Sequence, residues 1–148
     1  MRVTDDRVVI RLARVDDAER VAELATQLGY PTTPDEMRRR LAQVLQVEEH
    51  AVYVAAWDGL VVGWIHVCAR PLVQVDRAAE IEGLVVDEAC RGRGIGRLLV
   101  RQIEQWVREQ GCSTIYVRSN IIREGAHVFY QSLGYENIKT SLTFRKTL

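Results

Sequence analysis

The spacing of hydrophobic positions along the 148-residue chain changes several times, and each change marks an element. Val9, Ile10 and Leu12, within Arg7 to Arg14, alternate weakly with polar neighbours and predict a first strand. From Asp16 the period becomes helical. Ala18, Val21, Ala22, Ala25 and Leu28 fall on one face, Asp16 with Glu19 three residues on gives an N-cap signature, and Gly29 and Pro31 stop the helix. Thr33-Pro34-Asp35-Glu36 starts a second helix, with Thr33 as cap and Glu36 closing a capping box; Met37, Leu41, Val44 and Leu45 form its apolar stripe. Ala51 to Ala56 and Leu60 to Arg70 are extended runs joined through Trp57-Asp58-Gly59, a strong hairpin signal. Pro71 to Arg77 reads as a loop and Ala79 to Val86 as a central strand.

The second half repeats the logic. Ile95, Leu98, Leu99, Ile103, Trp106 and Val107 recur at spacings of three and four, and Gly111 sits where a left-handed C-terminal cap belongs. Thr114 to Ser119 is a short β-branched strand, so strand, helix and strand form a crossover with parallel, adjacent strands. Ala126, Phe129, Tyr130 and Leu133 mark a last helix that Gly134 ends, and Tyr135 to Thr147 alternates enough for a final strand or hairpin pair. The sum is an α/β (mixed α+β) protein. Its mixed sheet has six or seven strands, antiparallel early and parallel at the centre, with about four helices on both faces, in a single domain spanning residues 1 to 148.

Composition narrows the partners. With 47% hydrophobic residues the chain can bury a real core, and a formal net charge of zero gives no general attraction to nucleic acid or a membrane surface. Met1-Arg2-Val3-Thr4-Asp5-Asp6 lacks the apolar core of a signal peptide, and no apolar run approaches a spanning helix, so a cytoplasmic location is expected. Cys68, Cys90 and Cys112 are odd in number and widely spaced, which fits reduced thiols; the three histidines lack metal-binding spacing, and no metal is expected.

The concentrated chemistry lies in Cys90-Arg91-Gly92-Arg93-Gly94-Ile95-Gly96-Arg97, between the central strand and the third helix. Glycines allow close backbone approach to an anion, an opening helix turn presents unpaired N–H groups, and three arginines add charge, so the stretch reads as a phosphate cradle. A P-loop would require a Lys after the glycines, and a dinucleotide-binding turn would require G-x-G-x-x-G after a first strand; neither is present. The pattern R-x-x-G-x-G from Arg91 to Gly96, after Ile81-Glu82-Gly83-Leu84-Val85-Val86, instead resembles the coenzyme A diphosphate loop of the GNAT acyl-CoA N-acyltransferases. Asn120, Ala126, Phe129, Tyr130, Gly134 and Tyr135 resemble that superfamily's second signature. Together the two signatures cover Glu80 to Tyr135.

The resemblance implies a sheet whose strands splay at the central parallel pair, acetyl-CoA as acyl donor, and direct attack by an amine in a ternary complex. It places the pantetheine arm along Leu84, Val85 and Val86, the diphosphate on Arg91, Gly92, Arg93, Gly94, Ile95, Gly96 and Arg97, and a further contact at Asn120. Tyr130 takes the position of the general acid that protonates the thiolate and also belongs to the coenzyme site. An attacking amine must lose a proton, and Glu80 and Glu82 share a strand face where either can serve as general base, beside the alternative of a water chain. The expected acceptor is a primary amine on a small molecule, in a pocket built from Gln27 to Glu36, Pro71 to Arg77 and the last strands. The alternatives are a protein or peptide amine, or a non-catalytic acyl-CoA sensor. A homodimer is common for this resemblance. His66 is read as structural and His127 as a candidate groove residue.

Overall fold

The structure, a computed structural model, describes residues 7–148; the opening Met1 to Asp6, read above for its lack of a signal-peptide core, lies outside them. The chain divides into two compact units, Met1–Val117 and Arg118–Leu148.

The first unit is built on a five-stranded sheet in the order β1-β2-β3-β4-β5, with β1 (Val8–Leu12), β2 (His50–Trp57), β3 (Leu60–Arg70), β4 (Ala78–Val86) and β5 (Ile115–Val117). The first three pairings are antiparallel and β4 with β5 is parallel, as the crossover requires. The β2–β3 turn follows from its residues. Asp58 at φ 48° and Gly59 at φ 83° both take the positive φ of a tight hairpin turn, between the paired Trp57 and Leu60.

Helices α1 (Ala18–Leu28) and α2 (Pro34–Val44) bury their stripes in one cluster with Val52, Val54, Val61 and Val85, and Trp64 packs against it. Helix α3 (Ile95–Glu109) buries Ile95, Leu99, Val100, Ile103 and Val107. A Cβ placed on Gly63 would come within 3.3 Å of the Leu99 side chain, so α3 packs close against β3.

Two capping expectations change in detail. A 3₁₀ turn at Val15–Asp17 precedes α1, and Asp17 rather than Asp16 organises the entry, accepting from the Arg14 backbone N–H at 2.8 Å and from both terminal nitrogens of Arg11. These bonds hold the Asp17 carboxyl below the usual carboxylate range, the Arg11 hydrogen bond being the largest cause. In α2, Thr33 accepts from the Glu36 N–H as expected, but the Glu36 carboxylate turns to Thr32 and Arg40 instead of closing the box.

The second unit contains α4 (Glu124–Ser132), which ends before Gly134 at φ 91°. The expected last strand or hairpin pair is not formed: residues 135–148 carry no helix or strand, and the sheet has five strands among the described residues instead of six or seven. Alternation defines which side chains share a face, but a ladder also needs a partner edge, and none pairs with this stretch.

Candidate active site

Strand β4 presents the first component. Its pairing with β5 covers only Ala79, Glu80 and Ile81, whereas its pairing with β3 continues to Val86. From Glu82 to Val86 the side of β4 towards β5 therefore pairs with no strand among the described residues, and the splay expected at the parallel pair is present. Leu84, Val85 and Val86 lie on this open edge, where an extended amide chain can add as a further strand.

The second component follows at the end of β4. Asp87 accepts from the Ala89 N–H and from Arg20 of α1, while Gln27 of α1 accepts from the Glu88 N–H at 3.1 Å. Arg91 donates from Nε to the Val86 carbonyl at 3.1 Å, tying the loop to the strand. Gly92 at φ 78° and Gly94 at φ 84° make left-handed turns that deliver the chain to α3. The first hydrogen bond of the helix runs from the Leu98 N–H to the Gly94 carbonyl, so the N–H groups of Ile95, Gly96 and Arg97 stand ahead of the ladder. No side chain caps them and the first turn contains no acidic residue, which leaves this helix end suited to an anion. Arg93 takes a separate position: its guanidinium lies 4.8 Å from the centre of the Trp57 ring.

The two carboxylates occupy the facing side of β4. The register between β3 and β4 shifts between His66 and Val67: His66 opposes Gly83 and Val67 opposes Ile81, leaving Glu82 as the extra residue of a bulge. A single guanidinium reaches both acids. Arg70 Nη2 is 3.0 Å from Glu80 Oε2, and Arg70 Nη1 is 3.5 Å from Glu82 Oε1. Glu80 is the more enclosed, with 12% side-chain exposure against 34% for Glu82.

Glu82 and Gly83 form part of a cavity of about 180 Å³, with Trp64 from β3, Ala25 and Leu28 from α1, Tyr30 and Thr32 from the connection, and Met37 and Arg40 from α2. Trp64 is fixed by its indole N–H donating to the Val21 carbonyl at 3.2 Å. A Cβ on Gly83 would lie 2.9 Å from that ring, so glycine is what leaves room for the indole beside β4. The expected connection from Gln27 to Glu36 contributes to the lining, but no residue from Pro71 to Arg77 does.

On the strands beside the bulge, His50 Nδ1 and His66 Nε2 are 2.8 Å apart. Burial, then the neighbouring His50, pushes His66 down to about 4, so its ring is neutral at physiological pH. This agrees with a structural role.

In the second unit, Tyr130 is edge-on to Phe129 and Tyr135, with ring centres 5.3 and 5.8 Å away. Burial raises its phenol, with Arg123 opposing, so it holds its proton at neutral pH. Asn120 uses its side-chain oxygen to accept from the Ile122 N–H at 3.1 Å, and its carbonyl lies 2.9 Å from His127 Nε2. Among the residues that sequence reasoning did not single out for the site are Trp57, Trp64, Arg40 and, as the partner of both acids, Arg70. Their roles depend on contacts across strands and helices, which no local pattern encodes.

An open central-strand edge running into a glycine-built, anion-receptive helix start is the arrangement that the resemblance to acyl-CoA-dependent acyltransferases implies. The model of the acetyltransferase (GNAT) family matches residues 16–135, and the chain belongs to that family as an N-acetyltransferase. It is 31% identical over 144 residues to an aminoglycoside N(6')-acetyltransferase type 1 of Stenotrophomonas maltophilia, covering 94% of this chain and 93% of the relative. A second aminoglycoside N(6')-acetyltransferase type 1, from Serratia marcescens, is 25% identical over 138 residues, covering 90% and 94%. Among solved structures, the aminoglycoside N-acetyltransferase AAC(6')-Iy in complex with CoA superposes with a TM-score of 0.85 at 22% identity, covering 95% of each chain.

Proposed function

We propose that the protein transfers an acetyl group from acetyl-CoA to a primary amine of a small molecule, by direct attack in a ternary complex. The observation that carries this is the placement of Glu82 in the wall of a half-open cavity and at the start of the open edge of β4. The relatives named for aminoglycoside acetylation and the solved relative holding CoA support a small-molecule amine and a coenzyme A donor.

In this reading the diphosphate sits on Arg91 to Arg97, chiefly on the backbone N–H groups at the start of α3, and the pantetheine amides pair with Leu84 to Val86. Glu82 takes the proton of the acceptor ammonium. The freed nitrogen lone pair attacks the thioester carbonyl, and a backbone N–H near Leu84 or Val85 stabilises the oxyanion. The C–S bond then breaks as the C–N bond is kept, and the thiolate leaves with a proton from Tyr130, whose role rests on its place in the second signature. The added nitrogen loses its second proton to solvent, which reprotonates the Tyr130 phenolate, to give the neutral amide. Glu80, more enclosed and more tightly paired with Arg70, supports Glu82 rather than acting in its place. The protein is read as a cytoplasmic single-domain enzyme, and the exposed Ile138, Leu142, Phe144 and Leu148 favour a homodimer.

Thiol release from acetyl-CoA across small amines and amino-terminal peptides, with mass analysis of the product, tests the reading. Initial-rate lines that intersect, an N-acetylated small amine as product, and a loss of turnover in Tyr130→Phe are expected. Acetylation confined to peptides would transfer the function to a protein or peptide target. Coenzyme binding with no acceptor of either kind would favour a sensor.

A further inference from the structure

Resting on that reading, we propose that the acceptor is a compact amine carrying an anionic group, its ammonium at Glu82 and its carboxylate or phosphonate at Arg40. Both residues line the same cavity, whose remaining walls include the apolar Leu28, Met37 and Trp64. An amine and an anion separated by a short aliphatic stretch match that sequence of surfaces.

Arg40 is held ready for an anion. Its Nη1 donates to Thr32 Oγ1 at 3.0 Å and its Nη2 to Glu36 Oε2 at 3.3 Å. A guanidinium has five N–H donors, so these two bonds orient the group and leave further N–H groups for a ligand. Thr32 also lines the cavity, where its hydroxyl accepts from Arg40 and donates to Glu36, fixing the guanidinium at that end.

The charge balance disfavours a polycation. Glu82, the one carboxylate among the described lining residues, is paired with Arg70, and Arg40 in the wall is paired with Glu36, so the wall offers no surplus of negative charge. An acceptor with several ammonium groups would meet one carboxylate and a guanidinium. The volume of about 180 Å³ is also below the roughly 300–1,000 Å³ of sites that enclose drug-sized ligands.

The test compares kcat/KM for β-alanine and 3-aminopropylphosphonate with that for propylamine and kanamycin, in the parent protein and in Arg40→Gln and Arg40→Lys. Hydrogen bonds to a charged partner predict a preference of about ten- to a hundredfold for an anionic amine over propylamine, carried by KM. The preference falls to near unity in Arg40→Gln and is partly restored in Arg40→Lys, and calorimetric acetyl-CoA binding confirms that each variant is folded. The carboxylate and phosphonate probes separate the two anion types. Equal or better use of propylamine or kanamycin by the parent overturns the inference and leaves small-amine acetylation standing, as does a preference that survives in Arg40→Gln. Acetylation of no small amine of any charge overturns both.

Discussion

At the scale of single residues, the site depends on what is missing as much as on what is present. Gly83 has no Cβ, and the space is taken by the Trp64 ring that walls the cavity beside Glu82. Gly83→Ala places a methyl 2.9 Å from Trp64 Cζ3, on a ring whose indole N–H is already bonded to Val21. Overpacking of this kind costs about 1–3 kcal/mol. Urea denaturation should show that loss, and the acceptor KM should rise several-fold as the indole shifts; unchanged stability and KM would remove Trp64 from the cavity wall. The Arg70 ion pairs follow the same residue-level logic. One side chain at the end of β3 reaches two acids on β4 that flank Ile81.

At the scale of elements, the helix start at Gly94 is the main device. A residue at φ 84° is strained unless it is glycine, and a side chain there also crowds the approach to the unpaired N–H groups of Ile95 to Arg97. Gly94→Val should weaken coenzyme A binding at least tenfold by calorimetry while circular dichroism shows a folded chain. Retained affinity in a folded variant would place the diphosphate elsewhere. Elements of this kind can be read from sequence because the information is local. Thr33-Pro34 and Gly29 bound helices, Asp58-Gly59 specifies a tight turn, and the three- and four-residue spacing from Ile95 to Val107 specifies a buried face. Two features depend on distant partners and cannot be read this way. The alternation after Tyr135 fixes a face without supplying an edge to pair with, and Arg70 or Arg40 becomes a site residue only when β3 meets β4 or α2 covers the sheet. The shorter β5, Ile115–Val117 in place of Thr114 to Ser119, has the same origin, since the extent of a strand is set by where its neighbour diverges.

At the scale of the molecule, acid stability and the proposed chemistry draw on neighbouring parts of one sheet. His66, neutral and lowered to about 4, is protonated in the unfolded chain below its ordinary value of 6.5 and not in the folded one. The unfolded state thus binds more protons between those values, and stability falls as pH falls through that window. About 2 kcal/mol should be lost between pH 7 and pH 5 from this group, and His66→Gln should flatten that part of the denaturation profile. Equal slopes in both proteins would show that the His50–His66 pair does not control acid stability.

In the proposed reaction the base is Glu82, which the fold sets both in the cavity wall and at the first residue of β4 beyond its pairing with β5. The most direct measurement is amine-dependent thiol release by Glu82→Gln beside the parent and Glu80→Gln, with acetyl-CoA binding followed by calorimetry. General-base catalysis predicts a loss in kcat of about a hundredfold or more for Glu82→Gln, with coenzyme affinity kept and a smaller loss for Glu80→Gln. A Glu82→Gln protein that turns over at the parent rate would contradict the assignment of this carboxylate as the base.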